Sequence, residues 1–302
     1  MPKIYFITAL SLILSFNICA QTLPLNPNLT ERIIAAPESV FKMFKEAGIN
    51  PTNYAITAVE QAQVEKAFAA LPPLHQKILK GHLHSISFLD NMPNTALTSP
   101  VNTPDSVKMY NITFRAGMFK ETISEWATQK EYTCYEQSAN PEYEIRIEAG
   151  ELDAFVYVLL HEATHVVDAV LDFTPHPPDR EALVKPTLFT KNIWDKMNVP
   201  SKDATDSLLE QTRFRSGKKV SLTLAPAIYK KLSKTPFTSL YGMASWFEDI
   251  AELASIYHLT KKMDQPFYVT VRKNNDEIIR FKPMKNKLVK KRLRQLKVFY
   301  QV

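Results

Sequence analysis

The sequence predicts an α+β fold in which a mixed sheet packs against helices. Three observations predict it. Apolar and polar residues alternate in three short segments, which is the pattern of half-buried strands. One long segment, residues 152–171, is apolar nearly all round and lacks glycine and proline, as expected of a buried helix. The composition, with 45% hydrophobic and 23% charged residues, is ordinary for a globular protein.

The first twenty residues predict a secretory signal peptide, 1–20. Lys3 precedes an apolar run at 4–18. That run is shorter than the ~20 residues that a membrane-spanning helix needs. Ala20 supplies the small residue expected before a cleavage site. We therefore expect a secreted or periplasmic protein.

The two cysteines of the chain have different predicted fates. Cys19 would be the modified residue of a lipoprotein, but the large Ile18 stands where a small residue normally precedes that cysteine. Lipoprotein anchoring is therefore disfavoured. Cleavage after Ala20 removes Cys19 and leaves Cys134 alone, which excludes an intrachain disulfide. No catalytic motif surrounds Cys134, and we predict a structural thiol there.

Residues 21–70 predict an N-terminal helical extension. Apolar residues recur at helical spacing in segments 38–47 and 56–70. A Gly-Ile-Asn-Pro turn at 48–51 separates the two segments and ends the first helix.

The main predicted domain, residues 71–302, contains the strands. Its elements before the long apolar helix are, in order, a helix at 74–80, strands at 82–88 and 108–115, a helix at 119–130 and a strand at 142–148. The last of these strands is a candidate sheet edge, on which a peptide could dock by main-chain pairing. The polar segment 91–103 contains prolines and predicts a connecting loop.

The long apolar helix carries an H-E-x-x-H motif at His161–His165. Two histidines four positions apart lie on one face of a helix, within reach of one zinc ion. Glu162 between them can act as base on a zinc-bound water. The alternative is a pair of ordinary helix histidines, which burial in an apolar helix makes costly. Asp168 shares the histidine face, where it could orient an imidazole or be an ordinary carboxylate near the surface.

A catalytic zinc site needs three protein ligands and an open position, so a third ligand must come from elsewhere. His176 lies in a proline-rich loop and is weakly supported. Glu248 is the stronger candidate, because apolar positions recur at helical spacing in its segment, 239–252. Glu252 follows by one turn and could hydrogen-bond a zinc histidine. Tyr241 precedes by two turns and could hold its phenol over the metal. The alternative is that these acids form a solvated helix face.

The two motifs together resemble a known family. H-E-x-x-H followed by Tyr-(six residues)-Glu-Asp-x-Ala-Glu is similar to the zincin peptidases whose third ligand is glutamate, and more narrowly to the catalytic domains of the anthrax lethal factor-like family. The resemblance implies a zincin-like metallopeptidase fold, with His161, His165 and Glu248 as ligands of Zn²⁺. It further implies Glu162 as general base and Tyr241 as the partner of the oxyanion.

The resemblance is local, and the spacing of its motifs is unusual. The specific motifs cover about 30 residues, and the likeness in the order of elements extends to about residues 71–302. Glu248 lies 83 positions after His165. The segment 174–236 is therefore predicted as an insertion between the two motifs.

The predicted function is that of a secreted zinc metallopeptidase of the endopeptidase class, which hydrolyses a peptide or protein substrate. Zinc would activate a water and Glu162 would take its proton. One alternative is a catalytically silent zincin-fold protein that binds a partner or lies at the cell surface, but a binding protein has no need of Glu162. A further alternative is an accidental motif in a protein that binds a surface through its basic C-terminal segment.

Positive charge is concentrated at the C-terminus. The chain has a formal net charge of +6, and residues 282–302 hold eight lysines and arginines and no acid. An apolar stripe runs through this segment and predicts a basic C-terminal helix. The helix could contact an anionic surface weakly, but docking on the domain with a solvated basic face is favoured. Nucleic-acid binding is not expected of an exported protein. The sequence gives no prediction of oligomeric state.

Overall fold

The computed structural model describes residues 25–103, 107–137, 142–179 and 181–301. The predicted signal peptide, with Cys19, lies outside the described residues. Within them the fold is α+β, with nine α-helices and nine strands, which confirms the predicted class.

The helices and strands follow one another in mixed order. The α-helices are α1 (Glu38–Glu46), α2 (Ala58–Ala70), α3 (Pro73–His82), α4 (Ile123–Tyr132), α5 (Ala154–Leu171), α6 (Arg213–Ser216), α7 (Ala225–Leu232), α8 (Trp246–Lys261) and α9 (Lys287–Arg292). The strands are β1 (Thr52–Asn53), β2 (Leu83–Asp90), β3 (Ala96–Val101), β4 (Met109–Arg115), β5 (Tyr143–Glu148), β6 (Trp194–Lys196), β7 (Val199–Pro200), β8 (Tyr268–Lys273) and β9 (Asp276–Phe281).

A four-stranded mixed sheet supports the centre of the molecule. Its strand order is β1-β2-β4-β3. Strands β2 and β4 pair in parallel, and the outer strands β1 and β3 are antiparallel to their neighbours. The sheet packs against α5 through aromatic rings: Phe155 of α5 lies 5.0 Å from Phe114 and 5.8 Å from Phe88, between ring centroids. This packing fixes α5 against the sheet.

Helix α5 is the central helix of the fold. It packs against helices α2, α3, α4 and α8 and against strand β3. It ends at Asp172, which adopts a left-handed conformation with φ of 51°. Of the described residues, only α5 forms a helix long and apolar enough to cross a membrane, and 72% of that apolar stretch is buried inside the fold. Burial of this extent is the property of a core helix.

The predicted N-terminal extension shares the core of the main domain. Val64 and Phe68 of α2 belong to the large hydrophobic cluster that also contains Phe155. Strand β1, at Thr52–Asn53, completes the four-stranded sheet by pairing with β2. Residue 70 therefore does not separate two hydrophobic cores.

The structure tests the predictions made for segments 91–103 and 142–148, which contain the outer strands β3 and β5. Strand β3 lies within the segment 91–103 that predicts a loop, so that prediction is wrong. Strand β5 is an edge strand, as predicted, of a separate antiparallel sheet with the order β5-β8-β9. Its edge is closed, because Ile145 and Ile147 donate their backbone N–H groups to Tyr132 and Thr128 of α4, at 3.0 and 2.9 Å. The prediction that a peptide docks on β5 is therefore wrong.

The segment between the two motifs contains mostly short elements. Strands β6 and β7 pair with each other, and α7 is its longest helix. Leu222–Leu224 is a 3₁₀ turn, and Val220 forms an isolated bridge with Tyr135. The segment contacts α8, because Trp194 donates its indole N–H to Asp249 at 2.9 Å.

The basic C-terminal segment is docked, but it is not one helix. Strand β9 ends at Phe281, α9 spans six residues, and Leu293–Tyr300 is a 3₁₀ helix. The prediction of a continuous helix over 282–302 is therefore wrong. Seven of its eight cations are exposed, in agreement with the solvated basic face that the sequence favours. Arg292 is the exception, since it is only 4% exposed and pairs with Asp249.

Candidate metal centre and cleft

Helix α5 presents His161 and His165 on one face. Their ring centroids lie 4.8 Å apart and the rings are nearly perpendicular. The short distance follows from the spacing of four residues in an α-helix, which brings side chains one turn apart to the same face. His161 is buried, whereas His165 is partly open to solvent.

Glu248, from the first turn of α8, completes a cluster of three side chains. Its Oε2 lies 2.9 Å from Nε2 of His161 and 3.6 Å from Nε2 of His165. Ser245 caps α8 and accepts the backbone N–H of Glu248 at 3.3 Å, so the helix begins at Trp246, later than predicted. The predicted second helix thus starts after Tyr241, which lies on the 3₁₀ turn Tyr241–Met243.

Two of the three separations between the ligand atoms are close to those of a tetrahedral zinc site. One ligand atom from each of His161, His165 and Glu248 lies within 4.8 Å of the others. Ligands bound tetrahedrally at about 2.0–2.1 Å lie about 3.3 Å from one another. The two measured nitrogen–oxygen separations fall on either side of this value. Two imidazoles and one carboxylate are also a donor set that zinc prefers.

Glu252, one turn after Glu248, lies behind His161. Its Oε1 is 3.2 Å from Nδ1 of His161. The same carboxylate accepts hydrogen bonds from Tyr157 at 3.1 Å and from Ser239 at 2.6 Å. A carboxylate that holds Nδ1 turns Nε2 of the ring outward and fixes its orientation. His161 is therefore held between two carboxylates.

The electrostatics of the cluster favour a positive charge between its members. Burial lowers the pKa of His161, but hydrogen bonds to Glu248 and Glu252 outweigh it and raise the pKa to about 9. Burial raises the pKa of Glu248, but the imidazoles of His165 and His161 hold it well below its usual range. Either a proton or a metal cation can supply the positive charge that the carboxylates of this cluster favour.

Glu162 and Tyr241 lie beside this cluster. Thr98 of β3 donates its hydroxyl to Oε2 of Glu162 at 2.6 Å. The ring of Tyr241 stacks beside that of His161, with centroids 5.8 Å apart. Burial, together with the nearby carboxylates of Glu248 and Glu162, raises the pKa of the Tyr241 hydroxyl. Tyr241 is therefore a neutral hydrogen-bond donor near neutral pH.

A cleft with two cavities lies beside the histidine–glutamate cluster, Glu162 and Tyr241. The first, which we call the Lys130 cavity, has a volume of about 310 Å³ and lies between the start of β3, α4 and α5. The second, which we call the His176 cavity, has a volume of about 370 Å³ and lies between β3, α5 and the start of α8. Ala96, Glu162 and Tyr241 line both cavities. An extended molecule bound along β3 would thus have these three residues near its middle.

Two predicted site residues lie at the margin of the cluster. Asp168 accepts the backbone N–H and the hydroxyl of Thr174, each at 2.6 Å, and its Oδ2 is 3.4 Å from Nε2 of His176. No hydrogen bond within the described ranges joins Asp168 to His161 or His165. His176 instead stacks on Phe247, with centroids 4.9 Å apart, and lines the second cavity.

The alternative of a solvated helix face does not describe α8. Asp249 is 1% exposed and Glu252 is 4% exposed. Each has partners inside the fold: Arg292 and Trp194 for the first, His161 and Tyr157 for the second. The acids of this helix face the interior on two sides.

Sequence reasoning does not identify two residues of the cleft. Thr98 lies on a strand whose segment predicts a loop, and Lys130 lies near the end of α4 without a motif around it. For Thr98 the available signal is weak: Thr95, Thr98 and Val101 are β-branched residues that favour a strand, and the nearby Pro100 obscures it. Lys130 has no comparable signal.

Comparisons with known proteins identify no relative: no family model, no curated protein and no solved structure matches the chain. The geometry and chemistry of the site are therefore the observations from which a function can be inferred.

Proposed function

We propose that the protein is a zinc-dependent peptidase with a zincin-like fold that acts outside the cytoplasm. One observation carries the proposal. The metal-binding atoms of His161, His165 and Glu248 lie within 4.8 Å of one another, in a cleft that Glu162 and Tyr241 also line. These are the parts that metal-assisted hydrolysis requires: ligands, a base and a hydrogen-bond donor.

His161, His165 and Glu248 would hold the zinc ion. Zinc bound there would acidify a water and polarise a carbonyl group. Glu252 supports this role through its contact with Nδ1 of His161, because a carboxylate on the far nitrogen increases the basicity of the nitrogen that faces the ion.

Glu162 and Tyr241 would carry the proton transfer and the charge stabilisation. Glu162 takes a proton from the attacking water and delivers it to the amine that leaves. The neutral hydroxyl of Tyr241 donates a hydrogen bond to the carbonyl oxygen as negative charge develops on it. Thr98 orients the base through its hydrogen bond to Glu162.

The substrate class is inferred from the shape of the cleft. Strand β3 pairs with β4 on one side only and borders the cleft near Glu162. An extended peptide can add to such an edge through main-chain hydrogen bonds. Cavities on both sides of Glu162 and Tyr241 would accept side chains on both sides of the cut bond, which favours cleavage inside a peptide.

Metal content and hydrolysis test the proposal together. Purified protein should contain about one zinc per chain and should cleave members of a mixed library of end-blocked peptides, as read by mass spectrometry. Glu162→Gln should retain zinc and lose about 10²–10⁴-fold in hydrolysis, because an amide cannot accept the proton. Glu151→Gln, at an exposed position just before α5, is the matched control and should change neither.

Three outcomes would contradict the proposal at different points. Protein without zinc after exposure to the ion excludes the ligand set. Hydrolysis that survives in Glu162→Gln excludes Glu162 as base. Zinc-loaded wild-type protein that cleaves no member of the library is a catalytically silent protein with a zincin-like site.

A further inference from the structure

The Lys130 cavity contains a cation that the proposed chemistry does not use. Among the described residues, Lys130 is the only lysine or arginine that lines this cavity, and none lines the His176 cavity. The Lys130 ammonium lies 3.4 Å from the ring centroid of Tyr241 and 5.1 Å from that of Trp126. Both rings belong to the cavity wall, so the positive charge is held at its surface.

Lys130 forms no ion pair in the part of the chain that the structure describes, although the carboxylates of Glu131 and Glu252 lie close enough to interact with its charge. None of the ion pairs found there includes its ammonium. The residue is half-buried, so water compensates the charge only in part. Aromatic faces attract a cation less strongly than a carboxylate does. The cavity therefore favours an anionic group near Lys130.

The other side of the cleft is more acidic. Glu162 lines both cavities, and the His176 cavity adds Asp168 and Glu248. A carboxylate on a bound peptide would be attracted at Lys130 and would meet acidic side chains in the His176 cavity. Charge thus distinguishes the two sides of the bond at which a peptide would be cut.

We propose that the Lys130 cavity is a subsite for a substrate carboxylate next to the bond that is cut. The inference rests on the proposed function and makes Lys130 a determinant of specificity. The carboxylate forms a charge-assisted hydrogen bond with the Lys130 ammonium, in a cavity that polar Asn94 and Thr95 also line. It can belong to an Asp or Glu side chain within a peptide or to the C-terminus of a peptide.

Matched synthetic peptides test the subsite and distinguish its two ligands. The first pair are end-blocked nonapeptides of Ala and Leu that differ in one central Glu or Gln. The second pair contain the Gln and differ in a free or an amidated C-terminus. We expect wild-type protein to cleave the carboxylate member of one pair about 10- to 100-fold better, as a hydrogen bond to a charged group predicts. The pair that responds identifies the source of the carboxylate.

Substitutions assign the preference to Lys130. Lys130→Met keeps the aliphatic stem over the rings and should reduce the ratio within the responding pair to about one, whereas Lys130→Arg should retain most of it. Lys66→Met, at an exposed position of α2 outside both cavities, is the control and should leave the ratio unchanged. Equal ratios in wild-type protein and Lys130→Met, or a wild-type ratio near one for both pairs, would overturn the inference.

A binding measurement separates this inference from the proposed function. Fluorescence anisotropy of the labelled peptides with Glu162→Gln protein reports affinity without hydrolysis. Tighter binding of the carboxylate peptide that Lys130→Met abolishes supports the subsite, even if wild-type protein cleaves nothing and the proposed peptidase activity fails. Hydrolysis without any carboxylate preference would remove the subsite and leave the peptidase in place.

Discussion

Glu248 and Asp249 are consecutive acids in the first turn of α8, yet they belong to two different clusters. Glu248 faces the imidazoles of His161 and His165. Asp249 faces the opposite way, where both its oxygens accept hydrogen bonds from the guanidinium of Arg292 at 2.8 Å. The second cluster thus contains its own cation, whereas the first consists of the three side chains that we propose bind zinc. Adjacent residues of one helical turn thus differ in role: Asp249 contributes to stability and Glu248 to the proposed chemistry.

The largest expected effect comes from breaking the Asp249 cluster. Arg292→Met leaves the Asp249 carboxylate buried without a cation, which costs about 3–5 kcal/mol when one partner of a buried ion pair is removed. The free energy of unfolding from urea titration measures it. Arg294→Met, at an exposed position two residues on, should cost less than about 0.5 kcal/mol. Equal losses of unfolding free energy in both variants would show that the buried ion pair stabilises the protein no more than an exposed arginine does.

Glu131 sharpens the comparison because it is a buried acid that forms no ion pair among the described residues. It accepts a hydrogen bond from Tyr229, and burial raises its pKa from 4.5 to about 7. Between these two values the unfolded chain loses its proton while the folded chain keeps it. Stability is therefore lost as pH rises from 4.5 to 7 and changes little above that range.

Glu131→Gln should remove this pH dependence. The difference in unfolding free energy between variant and wild type should grow by about 3 kcal/mol in favour of the variant between pH 4.5 and 8. Urea titrations of both proteins across this range measure it, and subtraction cancels the other titrating groups. A difference that stays constant with pH would mean that Glu131 ionises with its ordinary pKa in the folded protein.

The adjacent pair Glu248→Gln and Asp249→Asn tests whether the two clusters act separately. With zinc at 100 times its Kd, wild-type protein should gain about 2.7 kcal/mol of stability. Glu248→Gln should lose most of that gain, together with some zinc-free stability because the contact of its carboxylate with His161 is lost. Asp249→Asn should lose zinc-free stability and keep the gain. Calorimetry with and without zinc measures both quantities, and parallel changes in the two variants would show one coupled unit.

The smallest expected effect belongs to Thr98. Thr98→Val removes a single hydrogen bond to Glu162 and should lower kcat/KM about 5-fold, the equivalent of about 1 kcal/mol. Thr98→Ser retains the hydroxyl and should recover most of the loss. Steady-state kinetics on a peptide that the wild-type protein cleaves provides the measurement. A Thr98→Val protein with unchanged kinetics would show that the base needs no support from β3.

Periodicity predicts the elements whose burial is regular. The apolar helix α5 and the alternating strands β2, β4 and β5 lie within a few residues of their predicted bounds. Strand β3 is not predicted, because it is polar and contains Pro100, which an edge strand can accommodate. The hairpin of β8 and β9 has a local signal in Asn274 and Asn275, whose φ angles are 49° and 73°. Such a pair is typical of a two-residue turn.

The candidate site likewise contains residues that a local sequence pattern predicts and residues that it does not. The helical repeat alone brings His161 and His165 together, and it also relates Glu248 to Glu252. The approach of α8 to α5, by contrast, depends on packing of the whole core, for which the sequence offers only motif resemblance. Thr98 and Lys130 reach the cleft through sheet pairing and through the position of α4. Residues brought in by tertiary packing carry no local pattern.

The pair of Asp249 and Arg292 also has a consequence for the order in which the protein can mature. A ribosome adds Asp249, in the first turn of α8, 43 residues before it adds Arg292. Until that residue has emerged and docked, the turn that carries Glu248 contains a buried acid without its counter-charge. The completion of the cleft therefore waits until Arg292 has been made. A chain that crosses a membrane unfolded would assemble the proposed metal centre only after Arg292 has crossed.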